Sequence, residues 1–242
     1  MSETWSLQKA TDEFVCQPKL INLPRPKSFY PSEASAISPS GKVYGHCNRA
    51  SWYRLTDGIH KLPDKPSSAW AAELGNSVEE IQLRHWRDMG ILVDKKIKFA
   101  DTSRNISGEL DAIIKDPDGK YVCCEVKSFW NYQATKELLG NHQQPGRPKD
   151  SHLMQLMIYL DQAKEYVSYG RLVYYARDSA KKVEFNVFLH EQNGEHWAVV
   201  QIVHPELGTQ VMVKKFSLEG IYKRYAELKQ QVATLVEPPR DF

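Results

Sequence analysis

A chain of 242 residues, 41% hydrophobic and 26% charged, is long enough for one domain with a sizeable core and has an ordinary globular composition. No apolar run approaches the ~20 residues a bilayer-spanning helix needs. Residues 1–16 lack a basic stretch followed by an apolar one, so an intracellular, cytoplasmic protein with no membrane association is expected. The formal net charge of +2 does not by itself mark a nucleic-acid binder, and any electrostatic footprint has to be a local patch.

Pro18, Pro24, Pro26, Pro31 and Pro39 interrupt every apolar period in residues 1–40, which predicts an extended N-terminal arm with at most a short helix. Residues 41–242 read as one domain. A short helix is expected near Asn48–Leu55, with Trp52 and Leu55 inward. A longer one is expected over Ser67–Met89, where Trp70, Leu74, Val78 and Ile81 recur at helical spacing. Gly75 interrupts that helix at a cost of about 1 kcal/mol, and Gly90 is a natural cap. Residues 91–100 read as a strand. Two further strand-like runs, 105–115 and 120–130, are joined by Asp116-Pro117-Asp118-Gly119, whose Pro and Gly positions suit a tight turn, so a β-hairpin is predicted.

Residues 131–150 look like a loop or a partly helical excursion, and 151–167 like an amphipathic helix. Strands are expected at 171–178 and 181–189, a further pair or irregular edge at 196–203 and 209–216, and a closing helix at 217–236. This order predicts an α/β fold with a central mixed β-sheet flanked by helices.

The four cysteines, Cys16, Cys47, Cys123 and Cys124, form no C-x-x-C pair, which argues against a disulfide framework or a zinc ribbon. The chemistry sits on the hairpin. Counting back from its turn puts Asp111 opposite Cys124 or Glu125, depending on whether a bulge follows. Facing side chains on an antiparallel pair stand ~4.5–5.5 Å apart at Cβ. Two carboxylates that close repel unless a cation lies between them, and Mg²⁺ or Mn²⁺ prefers such oxygen ligands. Strand alternation places Lys127 on the face of Glu125, with Val122, Cys124 and Val126 opposite. An ammonium there would orient an attacking water and offset charge developing on a phosphate.

More residues join the pattern. Gly75 to Glu79 matches G-x-x-x-E, Gly108 to Asp111 matches G-x-x-D, Glu125-Val126-Lys127 matches E-x-K, and Gln155 to Tyr159 matches Q-x-x-x-Y with His152 one turn earlier. In this order the chain resembles the PD-(D/E)XK nuclease superfamily, in particular its RecB-type exonuclease branch of phage recombination and CRISPR adaptation nucleases. The likeness runs from about Gly75 to Tyr175. It implies a restriction-endonuclease-like core at about 67–190 within a single nuclease domain. It also implies one or two Mg²⁺ or Mn²⁺ ions held by Glu79, Asp111, Glu125 and the Val126 carbonyl, with Lys127 serving the nucleophilic water. Gln155 and Tyr159 would touch substrate phosphate or brace the site, alongside His152.

Cluster-bearing relatives place a cysteine near the position of Cys47 and three more near the C-terminus. This chain lacks those three, so no iron–sulfur cluster is expected, and Cys47, Cys123 and Cys124 are read as packing residues. His46, Arg49 and Arg54, with Lys136, Arg147 and Lys149, are candidate phosphate contacts. Trp130 and Tyr132 could stack on an unpaired base.

The resulting expectation is a metal-dependent deoxyribonuclease of recombination, repair or phage DNA metabolism, an exonuclease acting on linear ends or single strands. It could assemble as a homo-oligomer or with a recombination partner. The alternatives are a non-catalytic DNA-binding or assembly module on the same fold, and a structure-specific endonuclease.

Overall fold

A computed structural model of the chain describes residues 6–16, 27–56, 65–130, 132–141, 143–204 and 207–241, with backbone only at 132–135, 203 and 204. The elements in chain order are α1 (Leu7–Cys16), a 3₁₀ turn (Pro31–Glu33), β1 (Ser35–Ile37), β2 (Val43–Gly45), α2 (Asn48–Thr56), α3 (Pro66–Asp88), β3 (Leu92–Asp101), β4 (Ile106–Lys115) and β5 (Tyr121–Phe129). They continue with α4 (Tyr132–Leu139), β6 (Gly140–Asn141), β7 (Gln144–Pro145), α5 (Asp150–Gln162), β8 (Tyr169–Ala176), β9 (Lys182–Gln192), β10 (Glu195–His204), β11 (Gly208–Ser217) and α6 (Leu218–Ala233).

The fold is α/β. Its seven-stranded sheet runs β11-β10-β9-β8-β5-β4-β3, and it is mixed because β5 and β8 are parallel while every other neighbouring pair is antiparallel. Parallel neighbours need a long crossover. Here α4, the small β6–β7 hairpin and α5 supply it, which lays α5 across one sheet face. Leu153, Met154, Leu156 and Met157 of α5 pack there with Cys123, Leu172 and Tyr174 of the sheet and Ile221 and Tyr225 of α6. On the other face Leu83 and Trp86 of α3 meet Val122, Cys124, Val126 and Val173. Cys123 and Cys124 are therefore buried packing residues on opposite faces, as expected, while Cys47 is half-buried.

Several elements differ from their sequence signatures. α5 stops at Gln162 and is buried at every position from Leu153 to Leu160, rather than along one stripe. It lies between the sheet, the 3₁₀ turn, β2 and α6, and a helix enclosed on all sides is apolar all round. In α3 the stripe of Trp70, Leu74 and Ile81 stays exposed, and the buried face is Gln82, Leu83 and Trp86 in its C-terminal turns. α1 lies against the first half, where Trp70 Nε1 donates to Asp12 Oδ1 at 2.9 Å. The helix end is as predicted: Gly90, at φ +74°, closes a Schellman cap in which Ile91 N donates to Trp86 O and Gly90 N to Arg87 O.

Part of the predicted N-terminal arm packs along the body. Phe29, Ala34 and Ala36 are core residues, and Phe29 stacks on Tyr225 with ring centroids 5.0 Å apart. Prolines remove apolar periodicity without removing apolar burial, so this segment carried no signature. Pro18, Pro24 and Pro26 lie outside the described residues. In α2, Leu55 is buried and half-buried Trp52 packs on the core, donating to Gln231 O at 3.2 Å. Among the described residues no helix is long and apolar enough to cross a membrane.

Candidate active site

The turn between β4 and β5 sets the geometry. Asp116 N donates to Lys120 O at 2.9 Å and Gly119 N to Asp116 O at 3.0 Å, with Gly119 at φ +82°. This three-residue loop puts Lys115 opposite Tyr121 and Ala112 opposite Cys124. Continued, the register sets Asp111 against Glu125, choosing between the two placements open to the sequence. The ladder nevertheless ends at Ala112–Cys124. Past it, the Val126 N–H finds no strand acceptor and donates instead to Asp111 Oδ2 at 2.8 Å. The strands fork there. Because N–H and C=O of a strand residue project to the same edge, the Val126 carbonyl faces the fork as well.

Lys127 lies on the same face of β5 as Glu125, the α5 side. Glu125 is only 1% exposed. Its Oε1 pairs with Lys127 Nζ at 2.5 Å and accepts from Gln155 Nε2 at 2.7 Å, while its Oε2 is buried with no hydrogen-bond partner among the described residues. Gln155 Nε2 also donates to Tyr159 Oη at 2.9 Å. Both are buried, and Tyr159 is fixed edge-on against Phe99 at 5.7 Å. Glu79 comes from α3, which crosses β5 at Gly75: a Cβ there would lie 3.6 Å from Ser128 Oγ. The Glu79 carboxylate is bound by Lys96 Nζ from β3.

These contacts determine protonation. Burial, then the Glu125 and Glu79 carboxylates, push Asp111 up to about 8, against the Val126 N–H and Lys127. Burial likewise raises Glu125, with Lys127 opposing. Burial acts to lower Lys127, but the Glu125 carboxylate overrides it and holds the ammonium above its ordinary range. A linkage follows. The folded state holds the Asp111 proton that the unfolded chain releases near pH 4, so this stabilisation is complete below about pH 4 and is lost as pH rises to about 8. Urea unfolding in EDTA is expected to show stability falling across that window, and Asp111→Asn to flatten the slope. A slope unchanged in the variant would assign the effect elsewhere.

The donor set fits a hard divalent cation. Two carboxylates at the fork cannot both ionise cheaply without added positive charge, and Glu125 Oε2 is a buried acceptor with no donor among the described residues. As they stand, no three His, Cys, Asp or Glu side chains among the described residues converge at chelating distance. Glu79 is engaged by Lys96, Asp111 by Val126 N, and Glu125 by Lys127 and Gln155.

The other expected site residues divide. His152 is half-buried, its Nδ1 is 3.0 Å from Tyr174 Oη, and burial followed by the Lys127 and Lys149 charges pushes it down to about 3, so it is neutral. Arg49 is drawn elsewhere: its Nε donates to Pro238 O at 2.8 Å and pairs with Glu237 at 3.0 Å. Arg54 is spent on Glu33, Ser28 O and the Tyr30 ring. His46 is half-buried. Lys136, Arg147 and Lys149 are exposed and line one cleft, together with Lys214 of β11. Trp130 is exposed, and the Tyr132 side chain lies outside the described ones. Lys96, Phe99, Tyr174 and Lys214 had no sequence motif. Lys96 alone had a signal, since its strand pairs with the one carrying Asp111.

No family model matches the chain, and no curated protein matches it. A solved structure described as a crystal structure of SSO0001 superposes with a TM-score of 0.43 at 15% sequence identity, over 97% of this chain and 86% of that one. At that level of likeness neither a family nor an activity transfers.

Proposed function

We propose that the chain is a Mg²⁺- or Mn²⁺-dependent deoxyribonuclease with a restriction-endonuclease-like core, acting inside the cell as an exonuclease on linear DNA ends or single strands. The observation that carries this reading is the fork itself. There the β4–β5 register, carried one pair past Ala112–Cys124, sets Asp111 against Glu125, Glu125 Oε2 has no hydrogen-bond partner among the described residues, and Lys127 Nζ lies 2.5 Å from Glu125 Oε1.

Asp111, Glu125 and the Val126 carbonyl would hold the ion, with Glu79 completing the set. When bound, the ion supplies Lewis-acid activation of the phosphoryl oxygen and lowers the pKa of a water. The protein's own share is positional. Lys127 directs its ammonium at the attacking water and offsets charge gathering on the phosphate. Gln155 holds Glu125 in one rotamer and Tyr159 holds Gln155, so their burial supports bracing rather than phosphate contact. Neutral His152, locked on Tyr174, borders Lys127 without adding charge. Lys136, Arg147 and Lys149 offer an exposed path for phosphates.

The test is incubation of the purified protein with end-labelled linear DNA and closed circular DNA, with Mg²⁺, Mn²⁺ or EDTA. Metal-dependent loss of label from linear DNA, with circles intact, is the expected result. Cleavage of circles would indicate an endonuclease. Binding without cleavage under either metal would indicate a non-catalytic module and overturn the proposal.

A further inference from the structure

Lys96 is opposite Asp111 in the β3–β4 register, between the pairs Lys95–Ala112 and Ile97–Leu110, and its backbone is at φ +54°. A lysine gains nothing from the left-handed region, which costs a non-glycine residue of order 1 kcal/mol. That turn of the strand aims its ammonium at Glu79. The two partners differ in access to water: the Glu79 side chain is 15% exposed and the Lys96 side chain 38%. The carboxylate is held in place, whereas the lysine has solvent to withdraw into. Lys127, by contrast, is tied to the fully enclosed Glu125.

Charge counting gives the consequence. With all five groups ionised, Glu79, Asp111 and Glu125 against Lys96 and Lys127 leave one negative charge. A divalent ion added to that set leaves one positive charge in excess, and withdrawing Lys96 restores neutrality. We propose that Lys96 is a tethered counter-cation that occupies Glu79 until a divalent ion displaces it, so that it sets the metal concentration at which the site fills. The proposal rests on the metal-site reading above and adds a positioning residue to it.

The test reads metal binding directly. Free Mn²⁺ is titrated into the full chain and followed by electron paramagnetic resonance for wild type, Lys96→Gly, Lys96→Arg and Asp111→Asn. Glycine is the informative replacement, because it removes the ammonium and suits the positive φ, so the variant retains its fold. Lys96→Asn tolerates the same backbone and repeats the measurement with another side chain.

Lys96→Gly is expected to tighten Mn²⁺ binding about tenfold, with Lys96→Arg at or above the wild-type Kd. Binding that Asp111→Asn abolishes but Lys96→Gly leaves unchanged or weakens keeps the metal site and overturns the role of Lys96. No saturable Mn²⁺ binding in any variant overturns the metal site itself, and this inference with it.

Discussion

Lys127→Ala is expected to slow hydrolysis of linear DNA by about 10²- to 10⁴-fold while changing DNA affinity only a few-fold. The asymmetry comes from where the positive charges are. Lys127 is half-buried at the fork and touches Glu125, whereas Lys136, Arg147 and Lys149 are exposed along a cleft that Lys127 does not line and are available to phosphates without it. Removing the ammonium leaves the buried Glu125 with Gln155 as its remaining partner among the described residues, so the cost falls on the step in which charge develops. Single-turnover cleavage with Mg²⁺, beside fluorescence anisotropy in EDTA, separates the two quantities. Wild-type turnover in this variant would remove Lys127 from the chemistry.

Asp241→Ala is expected to destabilise the fold by about 3 kcal/mol, which for a chain of this size lowers Tm by roughly 6–12 °C. Asp241 does two things at once. Its Oδ1 accepts from Arg224 Nη2 at 2.8 Å, in a pair whose side chains are 7% and 12% exposed, and its Oδ2 accepts from Asn48 N at 2.8 Å at the start of α2. The second bond caps a helix N-terminus from far along the chain, where negative charge also suits the helix dipole. Glu237 adds bonds to Arg49 and Tyr53 of the same helix. Thermal unfolding of Asp241→Ala beside Arg224→Ala tests the clasp, since each should lose nearly as much as the double variant. Strictly additive losses would mean that the two side chains act independently.

The sheet and the hairpin were legible because their signals are local: period-two alternation, a Pro-Gly turn, a glycine helix cap. The fork was half legible. Counting from the turn narrowed Asp111 to two partners, but the fork itself depends on β4 leaving β5 after Ala112, and no residue type announces that. Lys96 was missed because its significance is a backbone angle in β3 and a partner, Glu79, on α3. Arg49 was read as a phosphate contact because a sequence shows charge and not pairing; its partners lie at Glu237 and Pro238. Phe29, Ala34 and Ala36 escaped because short irregular segments bury side chains without a period.

The three-residue turn at Asp116–Lys120 also works as a length gauge. It is the only covalent link that fixes how far β5 advances along β4, and just four residue pairs, Ala112–Cys124 to Lys115–Tyr121, confirm its setting. With the turn type kept, removing one residue from that loop would bring Val126 to the place of Glu125, adding one would bring Cys124 there, and either would turn Glu125 and Lys127 to the α3 face. Loop length at an exposed tip, five residues from the nearest carboxylate of the fork, is therefore under the same constraint as the identity of Asp111, although no side chain of the loop touches the site.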